Sequence, residues 1–228
     1  MEQDATTVKL NIGNRQDFDR IEFSNAAGLK LALYKNGGTI GLYLDGLMIN
    51  QLEGHPLQGG LDRVYLRKHT VGAVEPLLLS GTAAPCSFHN NGAVWRQDKG
   101  GVEASVQLML HPDLPLLFRV CRAHNNGAQA VTLDWMAGQD LGLSDTGMLK
   151  NNEAYVCQYL DHRIAEHSVT GKVLLTRNNL HPTHPFAVNC CLQGAQSASS
   201  DGYQFFGTAS KLSGKAVALD STTLQNRV

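Results

Sequence analysis

A chain of 228 residues with 43% hydrophobic side chains can build one large β-domain or two small ones without disulfide staples. Its formal net charge of −1, with 17% charged residues, gives no electrostatic reason to expect nucleic acid or an anionic membrane as partner. No run of about 18 apolar residues offers a spanning helix, and the start MEQDATTVKL lacks the basic-then-apolar order of a secretory signal, so a cytoplasmic address is the expectation. The five cysteines, Cys86, Cys121, Cys157, Cys190 and Cys191, show no C-x-x-C spacing and are expected to be buried free thiols.

The first twenty residues are polar and irregular, and Ile21 to Asn25 is the first extended piece. Leu29, Leu31 and Leu33 alternate with Lys30, Ala32 and Tyr34. Asn36-Gly37-Gly38 then supplies positive φ for a tight turn before Ile40, Leu42 and Leu44. A second turn at Asp45-Gly46 leads into a strand from Leu47 to Leu52, which makes a meander. Glu53 to Gly60 reads as loop, Asp62 to Lys68 as strand, and Leu77 to Pro85 is ambiguous between helix and strand. Ala93 to Asp98, the turn Lys99-Gly100-Gly101, and the alternation from Val102 to Leu110 form the clearest hairpin. Leu116 to His124 is extended. After the turn Asn125-Asn126-Gly127, Val131, Leu133 and Trp135 point one way while Thr132 and Asp134 point the other. Asn151 to Ile164 has both a helical and an alternating reading, and the alternation of Tyr155, Cys157 and Tyr159 favours strand. Lys172 to Arg177, Phe186 to Leu192 and Tyr203 to Thr208 are the remaining predicted strands. Many short strands between Gly, Asn and Pro turns predict an all-β, antiparallel sandwich over residues 1–228.

Chemistry-bearing side chains concentrate between Gly138 and Leu180. Gln139, Asp140, Asn152, Glu153, Tyr155, Gln158, Tyr159, Asp161, His162 and Arg177 offer planar hydrogen-bonding groups and two rings able to stack on a sugar face. They are the candidate substrate-facing or interface-facing residues. The words GQDLGLSD (Gly138 to Asp145), NEAYVCQYLDH (Asn152 to His162) and LLTRNN (Leu174 to Asn179) resemble the N-terminal β-sandwich of glycoside hydrolase family 94, formerly glycosyltransferase family 36. The resemblance is closest to the branch of 1,2-β-oligoglucan phosphorylases and cyclic β-1,2-glucan synthases, with cellobiose phosphorylases as further relatives. It implies a β-supersandwich of the galactose mutarotase type, here incomplete at its C-terminus, and a downstream (α/α)6 barrel that holds the catalytic acid and phosphate site. It also implies that the full-length protein phosphorolyses β-linked glucose oligomers, with inorganic phosphate as co-substrate and α-glucose 1-phosphate as product. The partners implied are a β-glucan oligosaccharide, the barrel of the same polypeptide and a second copy in a homodimer. No cofactor and no catalytic residue are expected in this chain.

Other chemistries are weaker. Neither G-x-S-x-G, a P-loop nor G-x-G-x-x-G is present. His181-x-x-His184 and the pair His162 and His167 are suggestive spacings for a metal, but a catalytic zinc needs three ligands. Asp140, Asp145, Glu153 and Asp161 could supply paired carboxylates for glycoside hydrolysis only if two faced one sugar. A free-standing mutarotase-like epimerase or a carbohydrate-binding module is the alternative; the epimerase would pair His162 or His89 as acid with Glu153 or Asp161 as base. A surface shaped for absent neighbours would also leave apolar patches exposed.

Overall fold

Glycine-bearing turns at the expected positions set out the first half of the chain. The computed structural model describes residues 9–11, 19–57, 60, 62–70, 73–206, 216–221, 223 and 224. Five strands, β1 (Lys9–Asn11), β2 (Arg20–Ser24), β3 (Lys30–Tyr34), β4 (Thr39–Leu44) and β5 (Leu47–Met48), follow one another as an antiparallel meander. Gly37 and Gly46 sit at φ +87° and +85°, where a side chain would be strained. The strand expected to reach Leu52 stops at Met48. Beyond it, the Asn50 side chain rather than a backbone carbonyl accepts the Leu42 N–H at 2.8 Å, which ends the ladder.

The next strands are β6 (Arg63–Thr70), β7 (Ala73–Leu78), β8 (Cys86–His89), β9 (Gly92–Lys99), β10 (Val102–Leu110), β11 (Leu117–Asn125) and β12 (Thr132–Gly138). They make two antiparallel sheets, β11-β10-β9-β8 and β12-β6-β7. The ambiguous stretch Leu77 to Pro85 resolves into the end of β7 and a 3-10 turn at Gly81–Ala83. Short β8 has no counterpart among the expected strands.

Alternation along β10 explains why the sheets stack. Val102, Ala104, Val106, Leu108 and Leu110 are buried, and Glu103, Ser105, Gln107 and Met109 point away. The first three join Val64, Leu66 and Leu79, with Leu133 and Trp135 against them; Leu108 and Leu110 join Phe23, Leu31, Leu33 and Trp95. One face of the β8–β11 sheet thus covers both the meander and the β12-β6-β7 sheet, a β-sandwich. Each fully buried large apolar side chain contributes roughly 1.5–3 kcal/mol. Trp95, buried completely, keeps its indole N–H satisfied by donating to the Gly81 carbonyl at 3.0 Å.

This sandwich belongs to a first compact unit, Met1–Asp140; the second is Leu141–Val228. The second unit contains β13 (Ser144–Asp145), α1 (Thr146–Cys157), β14 (Leu160–His167), β15 (Gly171–Asn178), β16 (Phe186–Cys190), α2 (Gly202–Phe206) and a 3-10 turn at Val217–Asp220. β14, β15 and β16 form an antiparallel sheet in that order.

Three expectations are corrected here. The strand reading of Asn151 to Ile164 fails up to Cys157, because this part belongs to α1, whose buried positions Leu149 and Val156 are two helical turns apart rather than alternating. The helix is kinked at Asn152 (φ −158°, ψ 74°), whose Oδ1 accepts the Tyr155 N–H at 3.0 Å and caps the second helical segment. Tyr203 to Thr208, expected as strand, is the helix α2 as far as Phe206, started by Asp201 accepting the Gln204 N–H; residues 207 and 208 lie outside the described residues. The cysteines are free, as expected, but none is fully buried: Cys86, Cys121 and Cys157 are half-buried, and Cys190 and Cys191 are exposed. Cys190 falls on the exposed side of β16, together with Phe186 and Val188.

Candidate functional site

In the first unit, Gln139 and Asp140 follow directly on β12. Gln139 Oε1 accepts from Arg119 Nη2 at 2.8 Å, and Arg119 grips both oxygens of Asp62 at 3.0 Å each. Asp140 accepts from Asn50 Nδ2 at 3.1 Å and from the Leu52 N–H at 2.9 Å. Burial pushes the Asp140 carboxyl above the ordinary carboxylate range. The hydrogen bonds from Asn50 and from the amides of Leu52 and Gln51 pull against this, and the Asp62 charge adds to it. These groups are bonded to one another, which fits them to brace the end of β12 against the loop after β5.

A second polar group lies on the face of β6 and β12 opposite Val64 and Leu66. Arg67, only 5% exposed at its side chain, is directly opposite Asp134 and bonds it through Nε and Nη2, both at 2.6 Å. His69, two residues along the same face, shares the Asp134 carboxylate at 2.9 Å. Burial raises the Asp134 pKa, but the bonds from Arg67 and His69 outweigh it and hold the carboxyl below its usual value. Neither this cluster nor Arg119 and Asp62 was among the candidates. The only sequence signal for them is a charged residue at an alternation position inside a strand.

In the second unit the candidates fall into three places. Asn152 is spent on the helix kink, and Glu153, half-buried, follows it on α1. Tyr155, Gln158 and Tyr159 are exposed at the end of α1. The two rings meet edge to face with centroids 5.2 Å apart, and the Tyr159 hydroxyl donates to the Tyr155 hydroxyl at 3.1 Å, which raises the Tyr159 pKa. On β14, Asp161 and His162 are adjacent and therefore point to opposite faces. His162 lies opposite Thr176, its Nδ1 is 2.9 Å from the threonine hydroxyl, and burial pushes the imidazole below its ordinary pKa against the Asp161 charge. Asp161 lies opposite Arg177, with Arg163 Nε 3.4 Å away. Of the acid–base pairings considered for an epimerase, His162 with Asp161 is thus split across the sheet.

Asn178, fully buried, is the polar centre of this unit. Its Nδ2 donates to the carbonyls of Gly142 and Leu143 at 3.0 and 3.1 Å, and its Oδ1 accepts the Leu180 and His181 N–H groups at 2.8 and 3.2 Å. It thereby holds Leu143 at φ +51°, a conformation that a leucine rarely adopts. Two of the quoted sequence words, GQDLGLSD and LLTRNN, meet through this one side chain.

Among the described residues no three His, Cys, Asp or Glu side chains gather as metal ligands. His181 Nδ1 is 2.9 Å from the Thr183 hydroxyl and its Nε2 is 3.4 Å from Asp145, while His167 accepts amides of its own turn. No helix among the described residues is long and apolar enough to cross a membrane.

Comparison with known proteins adds what geometry alone does not. A family model described as the SOGP N-terminal domain matches residues 32–228. Over 204 residues, 89% of this chain, the sequence is 30% identical to a 1,2-beta-oligoglucan phosphorylase of Listeria innocua serovar 6a. The match spans 18% of that relative's length.

Proposed function

Because the chain belongs to the SOGP N-terminal domain family, we propose that it serves as the non-catalytic β-sandwich module of a glycoside phosphorylase. The polypeptide it serves acts on β-linked glucose oligomers, with inorganic phosphate as co-substrate and α-glucose 1-phosphate as product. The single observation that carries this reading is the lopsided match, nearly the whole of this chain against less than a fifth of a 1,2-beta-oligoglucan phosphorylase. The geometry supports it from the other side. Gln139, Asp140, Asn152 and His162 are engaged in bracing and capping. What remains for sugar or protein contact is the exposed set of Tyr155, Gln158, Tyr159 and Arg177, with Asp161 and Glu153 beside them in sequence. Catalytic groups belong, on this reading, to a barrel domain of the same polypeptide, and a second copy can share the assembly.

The test is phosphorolysis of β-1,2-gluco-oligosaccharides by the purified 228-residue chain, with calorimetric titration of the same sugars. The expected result is no release of glucose 1-phosphate, with sugar binding that weakens when Tyr155 and Tyr159 are replaced by alanine. Turnover by this chain alone would require an acid inside the sandwich and would overturn the proposal.

A further inference from the structure

The β14-β15-β16 sheet treats its two edges differently. β14 carries Asp161, Arg163, Glu166 and the histidines His162 and His167, the charged dressing by which natural edge strands avoid pairing. β16, Phe186–Cys190, reads FAVNC and carries neither charge nor proline. The two faces differ as well. One holds His162, Thr176 and Asn178, which are buried or half-buried. The other holds Phe186, Val188 and Cys190 of β16, Val173 and Leu175 of β15 opposite them, and a rim of Arg177, Arg163 and Asp161. On that face Phe186 is 74% and Val188 51% exposed. An apolar strip with a polar rim, bordered by an undressed strand edge, has the anatomy of a protein interface rather than of a solvent face.

We infer that this face and the β16 edge are the docking surface for the remainder of the same polypeptide, an inference that rests on the phosphorylase-module reading above. The occupant follows from two observations. Four-fifths of the matched phosphorylase lies outside the aligned stretch, so a polypeptide of that kind has ample chain to cover the strip. The rim has two arginines to one aspartate, so the covering segment presents an apolar ridge flanked by carboxylate. A second copy of the chain would instead bring a rim with the same two-to-one excess of arginine over aspartate to the contact.

Cys190, exposed on the strip, is a built-in reporter, while burial pushes the Cys86 thiol up to about 12 and keeps it slow to react. The experiment compares maleimide labelling of Cys190, mapped by mass spectrometry, in the 228-residue chain and in the longest natural polypeptide that contains it. A parallel pair carries Val188→Glu. The expected result is labelling about tenfold or more slower in the longer polypeptide, as for a site that must open to react. Val188→Glu should restore fast labelling there, yet leave the melting temperature of the 228-residue chain unchanged. Equal labelling in a longer protein that performs phosphorolysis would overturn the surface and leave the functional reading standing. Slow labelling without phosphorolysis would uphold the surface and sink the functional reading. Slowing of labelling in the 228-residue chain as it is concentrated, with a dimer mass by light scattering, would give the strip to a second copy and overturn the inference.

Discussion

At the scale of single residues, Arg119 and Asp62 form a buried ion pair of the first unit, with Asp62 almost entirely buried and bound through both oxygens. Breaking a buried pair by removing one partner strands the other charge, at a cost of about 3–5 kcal/mol. Arg119→Ala is expected to lose stability in that range by urea denaturation, and Arg119→Lys to recover only part of it, because an ammonium cannot reproduce the two-pronged contact. Asp140 makes a pH prediction of the opposite kind. Its folded pKa is raised, so just above the ordinary carboxylate value of about 3.9 the native state keeps a proton that the unfolded chain has released. Stability should therefore fall as pH rises through that window. Asp140→Asn should flatten that part of the melting temperature profile while lowering the whole curve, because one hydrogen bond from Asn50 is lost. A profile that kept its slope in the variant would assign the titration to another group.

At the scale of elements, Gly92 and Asn178 act as points on which a strand pairing and a loop depend. A Cβ on Gly92 would stand 1.9 Å from the Leu108 carbonyl oxygen, a backbone atom of the opposing strand. Gly92→Ala is expected to destabilise the β9–β10 hairpin by more than about 3 kcal/mol, beyond ordinary overpacking, and to shorten hydrogen-exchange protection from Val106 to Leu110 first. Asn178→Ala leaves two buried carbonyls and two amides short of partners at about 1–3 kcal/mol each, and Leu143 is then free to leave its strained φ. Asn152→Ala, which removes only a helix cap, should cost about 1 kcal/mol by the same denaturation measurement. The hairpins were legible in the sequence because their information is local: Asn-Gly, Asp-Gly and Lys-Gly-Gly fix the turns, and alternation fixes which side of β10 is buried. The helix α1 was not, since Tyr155, Cys157 and Tyr159 alternate by side-chain type while burial follows Leu149 and Val156. The candidate site was legible only as a list of residues. Asp140 answers to Asn50 ninety positions away, and Arg119 to Asp62 fifty-seven away, and spacing carries no trace of such pairings.

At the scale of the whole molecule, the exposed apolar side chains of the second unit set the behaviour of the chain in isolation. Phe186, Val188 and Leu192 are all more than half exposed. The native 228-residue chain is expected to enhance the fluorescence of ANS without unfolding. Phe186→Ser should cut that enhancement while leaving the near-ultraviolet circular dichroism of the buried Trp95 intact. Enhancement that persisted in the variant would place the dye elsewhere. The undressed edge of β16 has a further consequence in time. Synthesis proceeds from the N-terminus at roughly 5–20 residues per second, so the strand leaves the ribosome well before the several hundred residues proposed to cover it. For about a minute a nascent chain of this kind shows a pairing edge to its neighbours on the same messenger, and holding that edge apart until its cover is made falls to chaperones rather than to the fold itself.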